Sequence, residues 1–252
     1  MEIKTILITQ ARTGSTRLPG KVLMEVNNTP LLKIHLDRLS QSKNIDKIII
    51  ATTVNEEDDI IEKIGTAWGY DVYRGSENDV LDRFYQALQN IKPTWVVRVT
   101  SDCPLIDPLL VDKVIEVTQS ENKDYGSNVI DETFPDGQDV EVFRFSALEK
   151  AWKEANKLSE REHVTPYIRN HTDLKLGDLF SAISYKNNID YSKIRMTVDE
   201  QKDFELINKI VSALGTEQGW LDYTEYIINN ELANINGNII RNEGYLKSLK
   251  ND

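Results

Sequence analysis

An α/β fold with a mostly parallel central sheet is what this sequence predicts, and three observations carry the prediction. Short apolar runs of strand length alternate with segments of helical periodicity through the first half of the chain. The runs are followed by polar or glycine-bearing loops. A single cysteine in 252 residues excludes a disulfide framework, so the chain must rely on a buried core. At this length an α/β chain buries roughly three quarters of its unfolded surface, and no staple is required.

The elements follow in order. Strand-like runs lie at residues 5–9, 47–53, 71–74 and 95–100, and between them Leu32, Leu36 and Leu39, then Ile60, Ile61 and Ile64, then Leu81, Phe84, Tyr85 and Leu88 recur at helical spacing. Repeated strand–helix units of this kind build a parallel sheet covered by helices. A fourth helix begins after Asp107, a suitable N-cap, with Pro108 in its first position. From residue 124 to residue 186 the rhythm changes to a polar stretch, a Pro-Asp-Gly turn at 135–137, the strand-like DVEVFRF and two helical segments, which reads as an insertion. Strand character returns in IRMTVD, residues 194–199, before a helix carrying Phe204, Ile207, Ile210, Val211 and Leu214. Two more helices are expected from Trp220 onward, with fraying at the Asn-rich end. Trp68, Trp95, Trp152 and Trp220 occur singly at helix or strand positions and are expected in or beside the core. No internal repeat or low-complexity linker divides the chain.

Charge narrows the function. With 30 Lys and Arg against 41 Asp and Glu the net charge is −11, which argues against a nucleic-acid partner and confines any basic site to a local exception. The opening MEIKTILITQ lacks a basic leader and a small-residue cleavage site, and no run reaches the roughly 20 apolar residues that span a bilayer. The expectation is a cytoplasmic protein without a membrane partner.

The exception lies in QARTGSTRLPGK, residues 10–21, between the first strand and the first helix. Ligands of doubly wound sheets bind outside the carboxyl ends of the strands, where this loop falls. It carries Gly14, Gly20, Ser15, Thr16 and the cations Arg12, Arg17 and Lys21. Backbone amides freed by glycine and converging cations make a polyphosphate cradle. The Walker pattern does not fit, because five residues separate the glycines and Val22 follows Lys21; the Rossmann glycine pattern does not fit either.

These residues resemble the ARxxSTRLPGK signature of cytidylyltransferases that activate acidic sugars, the 3-deoxy-manno-octulosonate and acylneuraminate enzymes, and more closely the spore-coat polysaccharide cytidylyltransferase family. RGSENDVLDRF (74–84), RVTSDCPLIDP (98–108), SNVIDETFPDGQDVEVF (127–143), EREHVTPYIRNH (160–171) and RMTVDEQKDFELI (195–207) extend the resemblance in collinear order. It implies a three-layer α/β/α, nucleotide-diphospho-sugar-transferase-like fold in one domain over 1–252, with the insertion serving acceptor binding and homodimer contact. It implies transfer of CMP from CTP to an acidic sugar or sugar phosphate, releasing pyrophosphate, in surface polysaccharide or glycan synthesis.

Asp102 and Asp199 each end a strand-like run, so a parallel sheet would bring both to the edge that holds the cationic loop. Paired there, they are candidates to hold Mg²⁺ against a triphosphate, the positions the resemblance also assigns; taken singly, Asp102 could be a turn residue and Asp199 a helix cap. The expected catalytic residues are Arg12, Lys21 and Asp102, and Ala11, Gly14, Ser15, Thr16, Arg17 and Ser101 are expected around the nucleotide. By resemblance Ser76, Asp79 and Arg83 meet the base and ribose, while the local alternative is Asn78 or Asp79 as a helix cap with Arg83 a solvated charge; Ala51 and Thr52 are lesser candidates. Asp136, Asp139 and Glu141 in the insertion suit a hydroxyl-rich acceptor. His163 and Tyr167, four apart on an expected helix, would share one face, either toward that acceptor or with Tyr167 packed on the sheet. Cys103 is expected to pack, and His35 to be structural. Two rivals stand beside this: a nucleotide-sugar glycosyltransferase, which lacks support because no second carboxylate lies two residues after Asp102, and a non-catalytic nucleotide-binding protein.

Overall fold

The computed structural model describes residues 4–252, so the first three residues of the N-terminal apolar run lie outside it. The main sheet has seven strands in the order β5-β4-β1-β6-β8-β7-β9. They are β1 (Thr5–Gln10), β4 (Lys47–Thr53), β5 (Asp71–Gly75), β6 (Trp95–Thr100), β7 (Tyr125–Ser127), β8 (Glu141–Arg144) and β9 (Ala182–Ser184); a small hairpin of β2 (Glu25–Val26) and β3 (Thr29–Pro30) stands apart. β1, β4, β5 and β6 are parallel, so their carboxyl ends share one edge. β8 then runs antiparallel to β6, and β7 antiparallel to β8. The segment at 124–186 therefore widens the sheet by three strands instead of standing off it.

Helices cover both faces. Ile6 and Ile8 of β1 pack with Val80 and Phe84 of α3 (Val80–Leu88) and Leu148 of α5 (Phe145–Glu154). Leu7 faces the other way, toward Val111 and Ile115 of α4 (Pro108–Ser120). Ile50 of β4 packs with Leu32 and Leu36 of α1 (Leu31–Leu39) and Ile61 of α2 (Asp59–Ala67). Burial on both faces is why these strands read as continuous apolar runs without polar alternation. Asp107 caps α4 as expected, accepting from the amides of Leu109 and Leu110. The tryptophans take their expected places: Trp95 is buried, Trp152 stacks on Tyr85 at 4.0 Å, and Trp220 meets Phe134 edge-on.

Residues 194–199 depart from expectation. They are extended but form no sheet strand, touching only an isolated bridge between Arg195 and Asp136. Met196 N donates to Asp136 O at 2.6 Å, and Val198 N to Asp102 O at 2.8 Å, so the segment is tied to loops beyond the sheet edge. Its alternation has another cause: Ile194, Met196 and Val198 pack on Leu206 and Ile210 of α8 (Gln201–Leu214), leaving Arg195, Thr197 and Asp199 on the opposite side. Gly137 permits this approach, with φ 102° and space for a Cβ only 2.6 Å from Thr197 N.

The C-terminus is anchored, against the expectation of fraying. After α9 (Trp220–Asn229), α10 (Glu243–Ser248) lies near α6 (Leu158–His163), and the Asp252 carboxylate accepts from Ser159 N and Oγ at 2.8 and 2.6 Å.

Candidate active site

A cleft of about 810 Å³ opens at the carboxyl edge of the parallel strands. Its first wall is the loop after β1. Ser101 Oγ donates to Gln10 O at 2.6 Å and fixes the strand end. Thr13 is held by the buried Asp58, through its amide at 2.7 Å and its hydroxyl at 2.8 Å, and its own carbonyl accepts from the amides of Ser15 and Gly20 at 2.8 Å. Gly20, at φ 70°, then starts a tight turn that delivers Lys21.

Lys21 Nζ lies 3.0 Å from Asp102 and 2.9 Å from Asp199. Arg17 reaches Asp199 at 2.9 Å, and Arg195 reaches it from the other side at 2.9 Å. Burial opposes charge on both Lys21 and Asp102. Their mutual attraction, with Asp199 added for Lys21, prevails: the Lys21 ammonium is held above its usual range and the Asp102 carboxyl well below. Asp199 is no cap; Asp203 takes that work, accepting from the amides of Asp199 and Glu200.

Most expected site residues come together on this cleft. Ala11, Arg12, Ser15, Thr16, Arg17 and Lys21 line it from the loop, with Ser101, Asp102 and Asp199 beside them and Arg83 on the α3 side. Gly14, Ser76, Asp79 and Tyr167 do not. Gly14 faces Glu57. Ser76 and Asp79 are spent on helix geometry: Ser76 Oγ accepts from Asp79 N, and Asp79 caps α3 through Asp82 N while pairing with Arg161 at 2.7 Å. Tyr167 donates to Glu154 at 2.5 Å, and it does not share a helix face with His163. α6 ends at His163, Val164 takes φ 71°, and α7 (Pro166–Asn170) starts afresh, because Pro166 lacks the donor a continuous helix needs.

His163 stays on the cleft, bonded to Ser248 Oγ at 2.9 Å; burial, with Arg98 and Arg169 nearby, pushes its pKa down to about 4. The carboxylates expected to hold the acceptor line the cleft but are already paired. Asp136 meets Arg195 at 2.5 Å, Asp139 meets Arg241 at 2.7 Å, and Glu141 meets Arg98 at 2.5 Å and Tyr125 Oη at 2.6 Å. Burial drives Asp139 up to about 7 despite Arg241. The partners Arg98, Arg195 and Arg241 were not singled out in the sequence, nor was Arg169, which also lines the cleft. A signal existed for two of them: Arg98 and Arg195 sit inside apolar runs, where a buried cation must find a carboxylate. Cys103 is buried, its thiol pushed well above the usual range by burial, and His35 is buried between Thr9 Oγ1 and Cys103 O at 2.9 Å, so both are structural.

A parallel-sheet edge that gathers a cationic loop and two carboxylates suits an α/β protein that handles the phosphates of a nucleotide. Known proteins agree. The cytidylyltransferase family pattern matches residues 6–235. An uncharacterized protein of Methanocaldococcus jannaschii is 41% identical over 94% of this chain and 96% of its own. The spore coat polysaccharide biosynthesis protein SpsF of Bacillus subtilis is 36% identical over 83% of this chain and 87% of its own. The structure of a cytidylyltransferase from Leptospira borgpetersenii superposes with a TM-score of 0.85 at 32% identity, covering 96% of this chain and 100% of that one. The chain belongs to the cytidylyltransferase family. Among the described residues no helix is long and apolar enough to cross a membrane.

Proposed function

We propose that this enzyme transfers the cytidylyl group of CTP to an anionic acceptor, an acidic sugar or sugar phosphate, in surface polysaccharide or glycan synthesis. An acceptor oxygen attacks the α-phosphorus, the bond to the bridging oxygen of the β-phosphate breaks, and pyrophosphate leaves. The observation that carries this reading is the convergence of Lys21, Asp102 and Asp199 at the mouth of the Arg12–Lys21 loop, 3.0 and 2.9 Å apart. Arg12, Arg17 and Lys21 supply fixed positive charge for the leaving phosphates, and Ser15 and Thr16 with the loop amides orient them.

The donor set suits Mg²⁺. One oxygen each of Asp102 and Asp199, from separate segments, converges on Lys21 Nζ. Two hard carboxylate donors are what Mg²⁺ takes from protein when phosphates complete its shell, with Lys21 then turning to the phosphates. Asp102 and Asp199 would hold it, and its chemistry there is neutralisation of phosphate charge. On the far side of the cleft, Arg98 and Arg169 favour an acceptor that carries a carboxylate or phosphate; Arg98 keeps a buried Nε without a partner. A homodimer is part of the proposal, supported by Leu174, Leu176 and Leu179, which stand 47, 100 and 39% exposed on one short segment within 124–186.

The test is pyrophosphate release from CTP and Mg²⁺ with a panel of 2-keto-3-deoxy sugar acids, sugar phosphates and neutral sugars. Release with an anionic acceptor and none with neutral sugars is expected. CTP binding without release for any acceptor overturns the transfer reaction.

A further inference from the structure

Asp58 stands at the N-cap position of α2, where an aspartate normally accepts from amides of the first turn, yet its side chain caps nothing. It is fully buried. Its bonds come from neutral donors: Thr13 N at 2.7 Å and Thr13 Oγ1 at 2.8 Å reach Oδ1, and Thr53 Oγ1 reaches Oδ2. Burying a carboxylate on neutral donors is costly, and helix capping does not account for it here.

What Asp58 holds is the pivot of the loop after β1. The Thr13 carbonyl accepts from Ser15 N and Gly20 N, both at 2.8 Å, so this one residue closes the loop from 13 to 20. With its amide and hydroxyl both fastened, Thr13 cannot rotate without releasing two donors from a buried carboxylate. Thr53, at the end of β4, completes the brace: its hydroxyl donates to Asp58 and accepts from Asn55 N at 3.1 Å. The loop is thus tied to a second strand besides its own. Neither Thr13 nor Asp58 lines the cleft, whereas Arg12, Ser15, Thr16, Arg17 and Lys21 do. Asp58 can therefore act on a ligand only through the loop.

Resting on the reading that this loop holds the leaving phosphates of CTP, we propose that Asp58 is a positioning residue for the transfer, presetting the loop in its anion-binding shape before the nucleotide arrives. A loop released from Asp58 must be ordered by the ligand, and that ordering is subtracted from affinity. The loss falls on the leaving phosphates, because the cations and hydroxyls that meet them are the ones the loop carries. CMP, which lacks those phosphates, is spared. The brace needs acceptor oxygens in place. Asparagine at 58 keeps Oδ1 for both Thr13 donors and can donate from Nδ2 to Thr53 Oγ1, whereas alanine keeps neither contact.

The test is calorimetric titration with CTP and with CMP, each in the presence of Mg²⁺, at a temperature where thermal unfolding shows every variant folded. The unmodified protein should bind CTP at least about 100-fold more tightly than CMP, the scale of two charge-assisted bonds to phosphate. Asp58→Ala should cut that ratio about 10-fold with CMP affinity unchanged, and Asp58→Asn should hold it within about 3-fold of the original. Thr13→Val, which removes the hydroxyl and leaves the amide bond, should fall between them and decides the matter if Asp58→Ala does not fold. A folded Asp58→Ala or Thr13→Val protein that keeps the full ratio overturns the proposal. Equal loss of CTP and CMP affinity overturns it too, since that is the signature of a merely structural residue. An unmodified protein that binds CTP no more tightly than CMP overturns the phosphate-loop reading instead.

Discussion

The two walls of the cleft are built on opposite plans. The loop wall, residues 10–21, presents its cations from one contiguous stretch, and the carboxylates they meet, Asp102 and Asp199, sit at the mouth where phosphates can compete for them. The far wall draws Arg98, Arg195 and Arg241 from three distant segments, each closed onto a carboxylate, and Arg195 alone spans Asp136, Asp199 and Asp203. The first wall presents charge to a ligand, whereas Arg195 and Arg241 on the second use charge to hold the protein together and Arg98 there keeps an unpartnered Nε on the acceptor side. Asp199 joins them, since it contacts Lys21 and Arg17 on one side and Arg195 on the other.

Substitutions that separate the walls should separate activity from stability. Asp102→Ala, on the first wall, should lower pyrophosphate release about 10³-fold while thermal unfolding shows an intact fold; full retained turnover would break the assignment. Arg195→Met, on the second, strands Asp136 and Asp203 in buried surroundings and should cost about 3 kcal/mol in denaturant unfolding. A change under about 1 kcal/mol would show that the second wall is not structural.

Gly137→Ala tests how closely the walls approach. At φ 102°, with Thr197 N 2.6 Å from the added Cβ, the alanine should destabilise by about 2 kcal/mol and displace the segment that carries Asp199. Turnover should therefore fall with stability, and a variant of unchanged melting temperature would contradict the contact.

The smallest effect is a dependence on pH whose sign differs between groups. Asp102, Glu141 and Asp203 are held below their ordinary values, so their contribution is present above pH about 5 and is lost as pH falls through their depressed values. Asp139 is raised to about 7, so the folded state keeps a proton that the unfolded state releases, and its own contribution declines as pH rises from about 4 to 7. His35 and His163, both pushed down to about 4 by burial, gain stability over much of the same range, so the two effects oppose each other. Asp139→Asn should therefore steepen the rise in melting temperature from pH about 4 to about 7 relative to the unmodified protein, and an unchanged slope would contradict the raised carboxyl.

Legibility followed the range of the interaction. The four parallel strands, the Asp107 cap and the loop after β1 each declare themselves within a dozen residues, because periodicity, capping and turn chemistry are local. Asp79 belongs to the same class: of the two candidate caps Asn78 and Asp79 before α3, Asp79 is the one that accepts from Asp82 N. Where one signal served two environments the sequence misled. The alternation of 194–199 records burial against α8, not membership of a sheet, and a spacing of four between His163 and Tyr167 holds no face across a break at Pro166.

By itself, then, the sequence determined a parallel α/β core and a concentrated patch of cations at one strand end in a chain of net charge −11. Only the tertiary structure decided what those charges meet. Lys21 contacts Asp102 and Asp199 across 81 and 178 residues, and Glu141, Asp136 and Asp139 of the second wall meet arginines 43, 59 and 102 residues away. Pairing energies depend on distance in space and on the water excluded between partners, and neither quantity is recorded in the order of residues along the chain.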